Sequence, residues 1–462
     1  MTEHGSTHRA SPAAKWVIAV AVACGGCGSE TVKDPRPVVV VVSGDTAGWI
    51  VPCGCASNQS GGLPRRGTFV RQLRKKAHVI LADAGGAPGG TAPYDRVKFE
   101  AVLQGEKAMD VAAHNIGGLE AALGPKYLRD VARRLDVPLI SANLCDIDGR
   151  LVAEPLQIVE AAGQRVALIG VLDEQYATEK TTILPPQQAI LDVLESAAGQ
   201  YDAVVVLAYL EEEALRQLAE VLPEVDVVAG GPTGQPVKPE PVGAVLLASA
   251  THQGKFLARF DAPTAGDSRQ GDSRQWTGRI IELDKHYADD ADQTANLKRF
   301  YATLARRDFK PEDTSQFESL SGDLRAGFGV AGTERCRECH EKESHTWDDS
   351  PHAHAWASLQ KKGAHVDPDC QRCHTTGYGL PGGFVSAKRS AAMVQVGCES
   401  CHGPSQAHAD DDEIQTAYYA RAADRCTGCH DRENSPEFEF DPYWAKIRHG
   451  KSSDADSEEV PR

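Results

Sequence analysis

The last third of the chain contains four copies of the pentapeptide Cys-x-x-Cys-His. Two thiols at this spacing can add to the two vinyl groups of one haem, and the adjacent histidine can then bind the iron as its proximal ligand. The pattern therefore predicts four covalently attached c-type haems. The predicted thioether residues are Cys336, Cys339, Cys370, Cys373, Cys398, Cys401, Cys426 and Cys429, and the predicted proximal ligands are His340, His374, His402 and His430.

Paired cysteines are also typical of structural zinc sites, which draw four ligands from two such pairs. A zinc site of that kind needs no histidine after each second cysteine, whereas haem attachment does. Each of the four pairs here is followed by its own histidine. The sequence therefore favours haem over zinc, and disulfide bonds are the weakest of the three readings.

The composition limits the classes of partner. The chain has 462 residues, of which 41% are apolar, and a formal net charge of −16. This length and apolar content predict a globular chain of two or three domains. Because nucleic acids and anionic lipid surfaces need a basic face, the charge argues against nucleic acid and favours a cationic redox protein or a small redox substrate as partner.

The first residues predict export from the cytoplasm. A polar start is followed by an apolar run from Trp16 to Ala23, too short for a membrane span of about 20 residues. Val22-Ala23-Cys24 resembles a bacterial lipobox, in which Cys24 is lipidated and anchors the protein to the membrane. The alternative is an ordinary cleaved signal. Either version places the mature protein in the periplasm or cell envelope of a bacterium, with 1–23 as signal and 24–37 as tether.

Residues 38–285 alternate short apolar runs with longer amphipathic ones. Runs rich in Val, Ile and Leu predict buried strands, and the stretches between them predict helices, which together indicate a layered α/β domain. A helical linker is expected over 286–332, a mostly irregular or α-helical haem domain over 333–450, and a tail over 451–462. Strands are expected at 38–43, 78–84, 137–144, 165–172, 202–210, 226–230 and 244–250, and helices at 97–113, 126–135, 186–198 and about 289–307.

The haem region resembles the tetrahaem cytochrome c-554 family. The resemblance rests on Trp347 with Ser350-Pro351-His352-Ala353, on Cys373 to Gly379 with Pro381 to Phe384, on Val396 to Pro404, and on Tyr443-Trp444 before His449. It implies His352, His408 and His449 as distal iron ligands, with His345, His354 and His365 in reserve. In that family one haem of the four can lack a distal protein ligand. Six spare histidines against Met393 alone also favour bis-histidine irons of low reduction potential.

The first domain resembles the 5′-nucleotidase and metallophosphoesterase family. The likeness lies in 43–45, 61–66, 80–85 and 139–143. Such enzymes hold two metal ions with clustered Asp, His and Asn. Of the ligands that the resemblance implies, Asp45 remains, whereas Gly86, Lys126 and Tyr209 stand where the family has ligand residues and Gly230 to Thr233 replaces its Gly-His-x-His element. We therefore expect a catalytically degenerate scaffold.

Cys53-Gly54-Cys55 lies after the first strand, close in sequence to Arg65 and Arg66. Two such thiols can form a structural disulfide, bind a soft metal or exchange electrons with a substrate. Three functions follow from the sequence. The first is an electron carrier, the second an oxidoreductase with an open haem or a Cys53/Cys55 redox centre, and the third a metal-dependent hydrolase.

Overall fold

The computed structural model describes residues 34, 36–52, 59–263, 276–317, 327–418 and 421–449. The predicted signal, Cys24, the Cys53/Cys55 pair and the carboxyl-terminal tail lie outside these residues. From Arg36 onward the chain forms one compact unit. Among the described residues, no helix combines the length and the apolar composition that crossing a membrane requires.

The strands lie before residue 283, and seven of the helices lie after residue 332. The strands are β1 Val38–Ser43, β2 His78–Asp83, β3 Val111–Asn115, β4 Leu139–Ile140, β5 Leu144–Asp146, β6 Leu156–Ala161, β7 Gln164–Leu172, β8 Thr181–Ile183, β9 Ala203–Tyr209, β10 Val227–Gly231, β11 Val237–Val242, β12 Val245–Ser249, β13 Phe256–Asp261 and β14 Thr277–Glu282. The helices are α1 Leu63–Arg74, α2 Pro93–Ala108, α3 Gly118–Leu123, α4 Pro125–Leu135, α5 Pro186–Ser196, α6 Glu212–Val221, α7 Ala291–Arg307, α8 Thr333–Arg337, α9 Glu341–Asp348, α10 Ala355–Lys362, α11 Pro368–His374, α12 Cys398–His402, α13 Gln406–Asp410 and α14 Phe440–Trp444.

The first domain contains two six-stranded sheets between layers of helices, and a two-stranded sheet formed by β5 and β8. One sheet has the order β14-β13-β1-β2-β3-β4 and the other the order β11-β12-β10-β9-β7-β6. Strand β1 shows how the layers are built, because its side chains alternate between two cores. Val40 and Val42 pack between the sheets with Val205 of the second sheet. Val39 and Val41 instead face the helices of the outer layer.

Two of the strand and helix predictions are wrong at a boundary. The helix expected to reach Ala113 ends at Ala108, and Val111–Asn115 forms the buried strand β3. Asp110 has φ 50°, a left-handed conformation that ends the helix and turns the chain into the strand. The single strand expected over 137–144 is divided into β4 and β5, which belong to different sheets.

The haem region is built from short helices and connecting loops. Its side-chain core is small, with Trp356, Leu359, Ala364 and Phe384 as the buried members. A region of this size normally needs a larger apolar interior to fold. Four haems would supply much of the missing interior of this region.

Candidate haem sites and the buried charge cluster

Each Cys-x-x-Cys-His motif lies on a helical turn. The second and third motifs lie within α11 and α12, the first begins in α8 and continues into the following turn, and the fourth begins in the 3₁₀ segment Ala422–Gly428. Residues three apart on a helical turn lie on one face, so the two thiols of a motif point to the same side. The turn also fixes the histidine, since the His340 and His430 amides donate to the carbonyls of Cys336 and Cys426 at 3.0 and 2.8 Å.

The structure brings three predicted proximal histidines opposite three predicted distal histidines. The ring centroids are 6.1 Å apart for His340 and His408. They are 6.2 Å apart for His430 and His352. The third pair, His402 and His449, has a separation of 6.0 Å. The members of each pair are distant in sequence, so tertiary folding creates the three pairs.

These separations fit an iron held between two imidazoles. A metal–nitrogen bond of about 2 Å on each side, plus about 1 Å from each nitrogen to its ring centre, requires ring centres about 6 Å apart. The residues present therefore fit bis-histidine haem at three sites.

In several of the predicted iron-binding histidines, the ring nitrogen Nδ1 is held by a hydrogen bond to a backbone carbonyl. Nδ1 of His408 lies 2.7 Å from the Ile414 carbonyl oxygen, and Nδ1 of His449 lies 2.8 Å from the Ile447 carbonyl oxygen. His374, the proximal histidine of the second motif, is not in one of the three pairs above. Its Nδ1 lies 2.9 Å from the carbonyl oxygen of Ala355. A carbonyl acceptor at Nδ1 fixes the tautomer and leaves Nε2 for a metal, as in most metal-binding histidines.

Burial keeps several of these imidazoles in the form that binds iron. It is the main cause that lowers the pKa values of His352, His374, His402 and His430 below the usual range. A neutral imidazole has a free lone pair, whereas an imidazolium cannot bind a metal. The reserve candidates have other surroundings. His345 and His354 are exposed, and His365 packs edge-on against Trp356.

At the carboxyl ends of β1, β2 and β9, the first domain brings Asp45, Gly86 and Tyr209 together. A Cβ atom added to Gly86 would lie 2.7 Å from the Tyr209 ring and 3.1 Å from the Cα of Asp45. The tyrosine ring therefore occupies the space into which an acidic side chain at position 86 would project. Burial, followed by the charges of Glu120 and Asp83, raises the pKa of Asp45 to about 6.

The expectation that Lys126 lies at this site is wrong. Lys126 is exposed at the start of α4, and a Cβ atom on the neighbouring Gly124 would meet only Lys180. The turn that follows β3 instead brings Gly117 to the site, where an added Cβ would lie 2.6 Å from the Gly86 amide nitrogen. The short helix α3 separates this turn from Lys126, which explains the error.

Behind Asp45 lies a charge cluster that the sequence analysis did not identify. Asp83, Glu106 and His114 place ligand atoms within 4.8 Å of one another, the kind of grouping that can hold a metal. Arg66 already compensates this charge, because its Nη1 lies 3.6 Å from Asp83 and 3.7 Å from Glu106. All four side chains are at most 1% exposed.

His114 adds a second positive charge to the cluster. Its Nδ1 lies 2.7 Å from Glu106, and its Nε2 lies 3.4 Å from Glu120. Burial alone would lower the pKa of His114, but the contacts with Glu106 and Glu120 raise it well above the usual value. Two cations therefore face three carboxylates, and a metal ion would have to displace Arg66. No local pattern in the sequence could reveal the cluster, since its members come from four separate elements.

Comparison with known proteins assigns both regions. The family model for "Cytochrome c554 and c-prime" matches residues 335–403. Cytochrome c-554 from Nitrosomonas europaea is 35% identical over 106 residues, which are 20% of this chain and 45% of that protein. The carboxyl-terminal region carries a cytochrome c-554 family domain.

The first region has the fold of 5′-nucleotidases. The 5′-nucleotidase precursor from Thermus thermophilus superimposes with a TM-score of 0.51 and 21% identity, covering 58% of this chain and 59% of that one. The uncharacterised metallophosphoesterase YunD from Bacillus subtilis is 26% identical over 178 residues, 35% of this chain and 38% of that protein. This chain thus spans less than half of either curated relative.

Within the cytochrome domain, cysteines of different motifs touch. Cys336 of the first motif shares a hydrogen bond with Cys398 of the third. Cys429 of the fourth motif does the same with Cys373 of the second. Cys401 of the third motif also interacts electrostatically with Cys426 of the fourth. The attachment sites are therefore neighbours in the order first, third, fourth, second.

A buried carboxylate connects two of these motifs. Glu399, inside the third motif, accepts hydrogen bonds from the amides of Ala331 and Gly332 at 2.8 and 2.7 Å. It also accepts a 2.8 Å bond from the Ser405 amide. Gly332 directly precedes α8, which carries the first motif. Glu399 thus fixes the start of the first motif against the third.

Proposed function

We propose that the chain is an exported electron carrier with four c-type haems, joined to a phosphoesterase-like domain that has lost hydrolytic metal chemistry. The observation that carries the proposal is the set of three histidine pairs with ring centroids 6.0–6.2 Å apart. Bound haem supplies reversible one-electron transfer at the iron, and bis-histidine ligation favours low potentials. Export and lipidation at Cys24 rest on the pattern of residues 1–24.

The order of the attachment sites supports a relay. Cysteines of different motifs lie near one another along the order first, third, fourth, second. The chain thereby positions its cofactors as a continuous path with the first and second motifs at its two ends. We propose redox proteins or a small redox substrate as partners at those ends.

The first domain gives less support to a metal-dependent hydrolase than the cytochrome domain gives to an electron carrier. A dinuclear site needs several oxygen and nitrogen ligands around an open position. Here the Tyr209 ring lies against Gly86, and Arg66 lies between Asp83 and Glu106. These residues fit neither of two divalent ions, and we propose that the domain acts as a scaffold.

The proposal is tested by counting haems and replacing one distal ligand. We expect four haems per chain in the pyridine haemochrome assay of the full-length holoprotein. Replacement His408→Met should raise the midpoint potential of one haem, because methionine ligation raises the potential of haem iron. The matched control His354→Met changes an exposed histidine and should leave all midpoints unchanged. Fewer than about three haems per chain would refute the tetrahaem assignment.

A further inference from the structure

The second haem motif is in direct contact with the first domain. Helix α2 of the first domain places Tyr94 and Lys98 against Asp367 and Asp369, which immediately precede Cys370. The Tyr94 hydroxyl donates to Asp367 Oδ1 at 2.5 Å. The Lys98 ammonium forms an ion pair with the Asp369 carboxylate. The contact joins residues about 270 positions apart.

This contact is buried. Tyr94 is 1% exposed, Asp367 4% and Lys98 8%. Burial, the largest cause, raises the pKa of Asp367 to about 6. Burial works against the charge of Lys98, yet Asp369 and Asp367 keep its pKa above the usual value. Lys98 is therefore a permanent positive charge inside the molecule.

These charges lie next to the second attachment site. Asp369, the ion-pair partner of Lys98, directly precedes Cys370, and Cys370 packs with Tyr301 of α7 against the small apolar core of the cytochrome domain. Helix α2 of the first domain and helix α7 of the linker thus lie beside the segment that anchors the second haem. Charges near a redox centre in a poorly solvated environment interact strongly with it, because water does not screen them.

We propose that the phosphoesterase-like domain sets the reduction potential of the second haem through the Lys98 ammonium and the Asp369 carboxylate. The inference rests on the proposed tetrahaem function and extends it by giving the first domain a role in electron transfer. Lys98 and Asp369 are positioning residues that act on the haem by their charge. Lys98 favours the reduced iron, which has one positive charge less, and Asp369 favours the oxidised iron.

Opposite substitutions at this contact should therefore move one midpoint in opposite directions. In redox titrations of the full-length holoprotein, Lys98→Met should lower the midpoint of one haem, and Asp369→Asn should raise the midpoint of the same haem. The other three should stay in place. Lys98→Arg keeps the charge and should restore the wild-type value. Lys107→Met is the matched control. Lys107 also lies on α2, but it forms an exposed ion pair with Asp136, and its replacement should leave all four midpoint potentials unchanged.

The outcomes separate this inference from the proposed function. Four haems with no moving midpoint in Lys98→Met or Asp369→Asn would overturn the inference alone. Shifts in the same direction in both variants would also overturn it, because they would indicate a structural disturbance. If Lys98→Met does not fold, the other two variants still test the inference. It then requires a raised midpoint potential in Asp369→Asn and an unchanged one in Lys98→Arg. A haem count below about three would refute the proposed function itself.

Discussion

Asp45 of the first domain is a largely buried carboxylate next to Gly86. It lies among other acidic groups, with Glu120 and Asp83 nearby. A carboxylate in such a place is costly in its charged form. The domain therefore tolerates Asp45 and does not depend on it for stability.

Replacement Asp45→Asn should stabilise the protein near neutral pH. Because the pKa of Asp45 is raised to about 6 in the folded state, its favourable contribution is complete below about pH 4 and is lost as the pH rises through 6. We expect a gain of roughly 1–2 kcal/mol at pH 7.5, and little difference from the wild type at pH 4.5. Urea unfolding at the two pH values measures this, and a variant that is less stable at pH 7.5 would contradict it.

At the residue scale, the sequence predicts site residues where a motif is local. The distal residues His352, His408 and His449 were named from a family resemblance, and the structure places each opposite a proximal histidine. Arg66 lies in segment 61–66, which carries part of the resemblance to metallophosphoesterases, but its partners Asp83 and Glu106 lie on other elements. Such a cluster forms only when the chain folds, so no spacing of residues in the sequence predicts it.

At the scale of elements, Glu399 is the clearest case of a residue that holds helices together. Replacement Glu399→Gln turns one acceptor oxygen into a donor facing backbone amides. We expect a loss of roughly 2–4 kcal/mol, because three hydrogen bonds to a buried carboxylate depend on it. Glu338→Gln is the control, since Glu338 lies between the two cysteines of the first motif, is exposed, and forms an ion pair with nearby Arg335. Its expected loss is below about 1 kcal/mol. Equal losses in thermal unfolding of the two variants would exclude this role.

Element boundaries were predictable where apolar runs are long and well bounded. The expected strand over 38–43 agrees with β1 residue by residue. Strand β3 was missed, because the apolar pattern of α2 runs on without a glycine or proline to mark its end. The helix ends because Asp110 adopts a left-handed conformation, and an aspartate in the sequence is only a weak indication of that conformation.

At the scale of the whole molecule, both regions belong to one compact unit. Besides the contact at Asp367 and Asp369, Lys255 of the first domain pairs with Glu433 beyond the fourth motif at 2.8 Å. Ser386 also donates to Asp308 at 2.9 Å. Among the described residues, the cytochrome domain therefore contacts the first domain near its second and fourth motifs, and it contacts the linker at Ser386.

We expect the two regions to unfold together. Haem absorbance and far-ultraviolet circular dichroism should give one coincident urea transition in the holoprotein. Tyr94→Phe removes the donor to buried Asp367 and should shift both signals by roughly 1–3 kcal/mol. Tyr127→Phe is the control, because the Tyr127 hydroxyl contacts Glu100 within the first domain. Separate transitions in the wild type would show that the regions are independent.

The contacts between cysteines of different motifs also bear on the order of assembly. The fold brings Cys336 next to Cys398 and Cys373 next to Cys429. In an oxidising compartment, thiols that touch can be oxidised to disulfides. Such a bond would block two attachment motifs at once. We therefore expect haem to be attached while the motifs are still apart, with closure of the domain as the later step.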